Sequence, residues 1–127
     1  MHHTSDVIPP RQLTPKERGI LEFLLSRPFP GRDQLWRQLL TARVSGECAC
    51  GCRSLRLSVD RRVTERAQVK RRIPIEAEGV DADGMKIHFL LHVVDGYMVE
   101  LEIFREDSKP IIELPVASAL ELFSLDD

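Results

Sequence analysis

Three cysteines crowd into five residues, Cys48-Ala49-Cys50-Gly51-Cys52, and the chain has no others. Thiolates this close together suit a soft cation such as zinc or copper(I). Structural zinc takes four ligands in a tetrahedron, usually from two paired knuckles, so Cys48, Cys50 and Cys52 leave a zinc site one ligand short. His88, His92 or the N-terminal His2 and His3 could supply the fourth after folding, but nothing in the spacing brings them there. The alternatives are a reactive or redox thiol, or a plain glycine-containing turn between strands. An odd, crowded set of cysteines is no secreted disulfide framework, which points to reduced thiols and a cytoplasmic protein.

His88 and His92 share one face of a strand, but four residues at ~3.3 Å each hold their Cα atoms about 13 Å apart, too far to chelate one ion easily. His88 is expected to face Glu102 across a hairpin, as a base with an orienting carboxylate or simply as an exposed ion pair. No nucleophile-elbow motif accompanies it, and phosphate-binding loops, dinucleotide fingerprints and the H-E-x-x-H zinc signature are all absent. The sequence therefore favours a non-enzyme and implies no cofactor beyond a zinc ion.

The stretch from Arg61 to Arg72 holds six basic residues against one acid and could contact the phosphates of a nucleic acid. It contains no aromatic residue for base stacking, and the overall pI near 6.1 favours a solvated loop or strand edge instead. The basic excess is not confined to that run. Residues 1–72 carry 15 basic and 7 acidic groups, and residues 73–127 carry 3 and 13, so a formal charge of −2 hides two halves of opposite sign. Such polarity is either paired inside the fold or left as a dipolar surface that orients a charged partner.

These groups have to be positioned by elements that the patterning makes legible. Thr14-Pro15-Lys16-Glu17 predicts a helix start with a capping box, followed by Ile20, Leu21, Leu24 and Leu25 at helical spacing. Pro28 ends that helix, and a second is expected from Arg32 to Thr41, burying Leu35, Trp36, Leu39 and Leu40. Strands are expected at Arg43 to Glu47, at Leu55 to Val59, and around Ile73 to Ala77, where Pro74 restricts the strand to an edge, its first residues or a bulge. Met85 to Val94 and Tyr97 to Arg105 form a hairpin. A two-residue loop at Asp95-Gly96 would set Phe89 opposite Glu102 and Leu91 opposite Glu100. A three-residue loop with a bulge at Gly96 is therefore expected, pairing Leu91 with Val99, Phe89 with Leu101 and Ile87 with Ile103. A last strand at Ile111 to Leu114 and a terminal helix carrying Val116, Leu120 and Phe123 complete the chain.

The expected fold class is α+β: two N-terminal helices on one face of a five- or six-stranded, mainly antiparallel sheet, with a short C-terminal helix. At 127 residues, with 43 % hydrophobic and 30 % charged composition, one domain over 1–127 is expected, residues 1–12 forming an extended arm. No apolar run is long enough for a membrane span. On the sheet face away from the helices, Leu90, Met98 and Phe104 would alternate with His88, His92, Glu100 and Glu102. Either another segment covers that surface, or it is exposed and suits a protein partner, its carboxylates favouring a basic one.

Taken together, Leu13-Thr14-Pro15-Lys16-Glu17, Phe29-Pro30-Gly31-Arg32-Asp33, Cys50-Gly51-Cys52, Val94-Asp95-Gly96-Tyr97 and Glu102 to Asp107 resemble a group of small uncharacterised bacterial proteins over roughly Leu13 to Leu114. That resemblance implies a domain of unknown function and transfers no catalytic residue. The ending also resembles bacterial toxin-immunity proteins, which implies a compact cytoplasmic α+β domain that binds one protein.

Overall fold

The structure, a computed structural model, describes residues 6–123. Two helices, α1 (Pro15–Leu24) and α2 (Arg32–Leu39), cover one face of a seven-stranded antiparallel sheet. Its strands are β1 (Asp6–Arg11), β2 (Arg43–Glu47), β3 (Leu55–Ser58), β4 (Glu76–Val80), β5 (Lys86–Val94), β6 (Tyr97–Arg105) and β7 (Glu121–Phe123), in the order β1-β2-β3-β6-β5-β4-β7. No helix is long and apolar enough to cross a membrane.

The first helix starts as its residues dictate. Thr14 Oγ1 accepts from the Glu17 amide at 3.1 Å, and the Thr14 amide donates back to Glu17 Oε1 at 2.8 Å. Arg11 then ties this cap to the sheet, donating to both Glu17 and Glu47. Ile20, Leu21 and Leu24 from α1 and Leu35 and Leu39 from α2 pack onto Val44, Leu57, Phe89, Leu91, Leu101 and Ile103. Trp36 and Leu40 fall outside that core, 41 % and 72 % exposed, because α2 ends at Leu39 and turns only a narrow stripe inward.

The central hairpin departs from expectation in an instructive way. Its loop has two residues, Val94 pairing with Tyr97, with Asp95 (φ 55°) and Gly96 (φ 83°) both left-handed as a type I′ turn requires. The conflict between Phe89 and Glu102 is removed further along: Val99 is an extra residue between the pairs Val93/Met98 and His92/Glu100. Beyond that bulge Leu91 pairs with Leu101, Phe89 with Ile103 and Ile87 with Arg105. Apolar side chains are matched by a bulge within the strand rather than one at the turn.

The chain ends also differ. The expected N-terminal arm contributes an edge strand, where Pro9 and Pro10 can be accommodated because one side of the strand has no neighbour. At the other end no strand forms over Ile111 to Leu114 and, among the described residues, no terminal helix follows. A 3-10 turn at Ala117–Ala119 leads into β7, which pairs with β4. The open edge of β4 offers ready backbone partners to 121–123.

The segment from Ile111 to Glu113 is instead fastened by one carboxylate. Asp81, just after β4, accepts from the amides of Ala82, Ile112 and Glu113 and from Arg105 Nη1. Arg105 also holds Asp83 and Asp107. Burial opposes ionisation of Asp81, but the Ile112 and Glu113 amides and Arg105 outweigh it and hold its carboxyl far below the usual range.

Candidate functional site

The turn between β2 and β3 brings the three cysteines together. Cys48, Cys50 and Cys52 place their sulfurs within 4.8 Å of one another, Cys48 Sγ and Cys50 Sγ being 2.7 Å apart. The backbone makes this possible through two left-handed residues, Gly51 (φ 86°) and Arg53 (φ 72°). A side chain at Gly51 would also meet Pro110 Cβ at 2.9 Å, in the segment whose Ile111 amide donates to the Gly51 carbonyl. Glycine is thus required twice at one position, for its torsion and for its lack of a Cβ.

Each sulfur receives a backbone amide two residues on: Cys50 N to Cys48 Sγ at 3.4 Å, Cys52 N to Cys50 Sγ at 3.3 Å, and Ser54 N to Cys52 Sγ at 3.5 Å. Such donors stabilise negative charge on sulfur. At Cys52, burial raises the thiol pKa, but hydrogen bonding from Ser54 and from the other two cysteines brings it below its ordinary value. Desolvation and the neighbouring cysteines push the Cys50 thiol up to about 12. One thiol is primed to ionise and its neighbour resists. A cation at the centre would reverse that resistance, because a coordinating thiol deprotonates. The cluster is graded in depth, with Cys50 exposed, Cys48 half-buried and Cys52 buried. A recess of about 220 Å³ adjoins it, lined by Arg11, Glu17, Glu47, Cys48, Arg53 and Leu114.

The histidines do not join the sulfurs. His92 Nε2 lies 2.7 Å from Glu102 Oε1, while its Nδ1 is 2.9 Å from Arg72 Nε. A guanidinium nitrogen can only donate, so Nδ1 is the acceptor and Nε2 is the atom turned to the carboxylate. His88 stacks on Phe104 with ring centroids 4.9 Å apart and approaches Glu106 at 3.2 Å. The partner expected for His88, Glu102, therefore belongs to His92, because the Val99 bulge shifts the register. His2 and His3 lie outside the described residues.

The surface expected for a protein partner takes a different form. His88, Leu90, His92, Glu100, Glu102 and Phe104 do lie on the sheet face away from the helices, since Phe89, Leu91, Leu101 and Ile103 occupy the other. Met98 does not. The bulge turns it into the core, 1 % exposed, where its amide donates to Gln38 Oε1. Glu100 and Glu102 are also 8 % and 7 % exposed, so the accessible carboxylate pair read from the sequence is not formed.

Two features had no advance signal. Gln38 is fully buried and closes the hairpin tip, its amide nitrogen donating to the carbonyls of Glu65 and Gly96. It reads as an ordinary polar residue of an exposed helix face. Arg72, one of six cations in a run, gives no hint that it bonds a histidine twenty residues away; only the fold makes them neighbours.

Among known proteins, a family model described as "Domain of unknown function (DUF6984)" matches residues 10–115. No curated protein and no solved structure matches the chain.

Proposed function

The chain belongs to this family of domains of unknown function, and for this member we propose a binding site for one soft d10 metal ion on Cys48, Cys50 and Cys52. The observation that carries the reading is the convergence of three sulfurs, each with its own amide donor, in a turn held by Gly51. Sulfurs about 2.3 Å from a central ion stand about 4 Å apart in a trigonal plane, so Cys48 and Cys50, at 2.7 Å, would part by about 1 Å within a cluster whose sulfurs all lie within 4.8 Å of one another. Three thiolates alone suit copper(I); zinc would add a fourth ligand from solvent or from elsewhere in the chain. Arg53 in the adjoining recess tempers the negative charge that three thiolates accumulate, Arg11 there being paired with Glu17 and Glu47.

A basic protein docking on Glu100 and Glu102, with the immunity-like role it suggests, is the weaker reading. Those carboxylates are buried, and Glu102 is engaged by His92.

The test is an anaerobic titration of the reduced full-length protein with copper(I), and separately with zinc(II), against a chromophoric chelator. One ion per chain is expected, with thiolate-to-metal absorption in the ultraviolet. Each single Cys→Ser variant should lose at least the roughly 10- to 100-fold in affinity that removal of an outer partner costs. No competition with the chelator for either ion, or affinity unchanged in Cys50→Ser, overturns the reading.

A further inference from the structure

We infer that the end of the sheet carrying the β5–β6 hairpin tip, together with the 61–72 segment wrapped around it, docks the phosphate backbone of a nucleic-acid duplex. The segment has no regular structure, yet it is pinned throughout. Thr64 Oγ1 bonds the Asp60 carbonyl, Gln38 holds the Glu65 carbonyl, the Ala67 amide donates to Gly96 at 2.8 Å, and the Val93 amide donates to Arg72. The backbone that carries the six cations is thereby held in place at the hairpin tip.

Arg71 is engaged within the fold, but the other five are only partly neutralised by internal carboxylates. Arg62 pairs with Asp60. Arg61, however, lies over the Tyr97 ring at 4.2 Å, and Arg72 spends its Nε–H on His92 Nδ1 rather than on a carboxylate. Among the described residues, Arg66 and Lys70 have no ion-pair partner, and neither do Arg43 on β2 and Arg56 on β3, which extend the patch across the sheet. Asp81, Asp83 and Asp107 gather on Arg105 at the other end of β5, while Glu65 and Asp95 lie within the basic end itself and leave it with a positive excess.

Shape selects the occupant. Arg43 stands on β2, whereas Arg72 runs beside β5 on the side where β4 lies. Four strand spacings of about 4.8 Å place the two roughly 19 Å apart, several phosphates along a polymer and too far for one phosphate group. Tyr97 is buried beneath Arg61 and offers no face for base stacking, so contact is through the backbone and independent of sequence.

Fluorescence anisotropy of a labelled mixed-sequence duplex with the full-length protein provides the test. With about six phosphate contacts, affinity should fall roughly 1,000-fold between 50 and 200 mM KCl. The double substitution Arg66→Glu with Lys70→Glu should weaken binding at least tenfold and flatten the log–log salt dependence by about 2. Arg43→Gln with Arg56→Gln, on strands rather than the loop, should act in the same direction and keeps the test valid if the loop variant fails to fold. Arg18→Gln on α1 should change nothing. Absence of saturable binding at 50 mM KCl, full binding by both folded double variants, or competition by polyglutamate equal to that of unlabelled duplex would each overturn the inference.

Discussion

Arg105 Nη1 stands 2.9 Å from Asp81 Oδ2, joining the end of β6 to the residue that follows β4, and both side chains are almost wholly shielded from solvent. The pair explains how a segment with no regular structure, 106–116, is held against the sheet. Asp81 supplies acceptors for two amides of that segment, and Arg105 keeps Asp81 ionised. Asp81→Ala removes the acceptors of three amides at once and should lower stability by about 3 kcal/mol, or roughly 10 °C in thermal midpoint. A midpoint within 2 °C of the parent, by calorimetry, would contradict this role.

The same network sets the acid limb of the stability curve. Hydrogen bonding from Arg105 holds the Asp107 carboxyl down at about 2, and Asp81 is held lower still. Both folded-state values lie below those of the unfolded chain. Their contribution is therefore complete above the ordinary carboxylate range near pH 4 and is lost as pH falls through that range toward 2. Urea unfolding at pH 7, 5 and 3 should show a decline concentrated below pH 5, and Asp107→Asn should make it shallower.

Gln38 makes three hydrogen bonds inside the fold, to the Glu65 carbonyl, the Gly96 carbonyl and the Met98 amide. Gln38→Leu has nearly the right volume and no polar atoms, so it leaves a buried N–H without its acceptor at a cost of roughly 1–3 kcal/mol. Hydrogen exchange should accelerate at Met98 well before it does at Leu101. Uniform protection in the variant would show that the hairpin tip does not depend on this side chain.

Gly96→Ala tests the turn and its packing together. The position has φ 83°, and a Cβ there would stand 2.8 Å from Arg66 Cβ and 2.9 Å from the Ala67 carbonyl oxygen. The left-handed torsion alone costs about 1–2 kcal/mol, and the overlap with Ala67 adds to it. The 61–72 segment should loosen first, seen as faster proteolysis at Arg66 in the folded protein.

Metal affinity at the cysteines should rise steeply with pH. The Cys50 thiol, pushed up to about 12, is protonated at neutral pH and must surrender its proton on binding, whereas Cys52 is the readiest to ionise. Chelator competition at pH 6, 7 and 8 should give affinity increasing by about tenfold or more per unit, one decade for each proton released. A flat profile would mean that the ion is held by something other than thiolates.

Much of the architecture was legible one element at a time. The Thr14 capping box and the β2 boundaries are local chemistry, settled within four or five residues, and they stand where the spacing puts them; the turn falls at Asp95-Gly96, but with two loop residues where three were expected. The register beyond that turn was not legible, because the cost of setting Glu102 against Phe89 is real but can be relieved at any nearby residue. The bulge falls at Val99, where it sends Met98 under the helices and sets Glu102 opposite Leu90, within diagonal reach of His92. Trp36 misled for a related reason: helical spacing shows which residues share a face, but not how wide a strip of that face the core accepts.

The sequence by itself determined that the chain forms an α+β domain, that its thiols lie within one turn, and that its charges separate along its length, since each of these follows from neighbours in the chain. Only the tertiary structure decided that Cys48, Cys50 and Cys52 converge on a common point, that Arg72 reaches His92, and that Arg105 closes on Asp81. Those relationships rest on strand order and register, which are set by burying the whole apolar face at once. No local window of residues contains that balance.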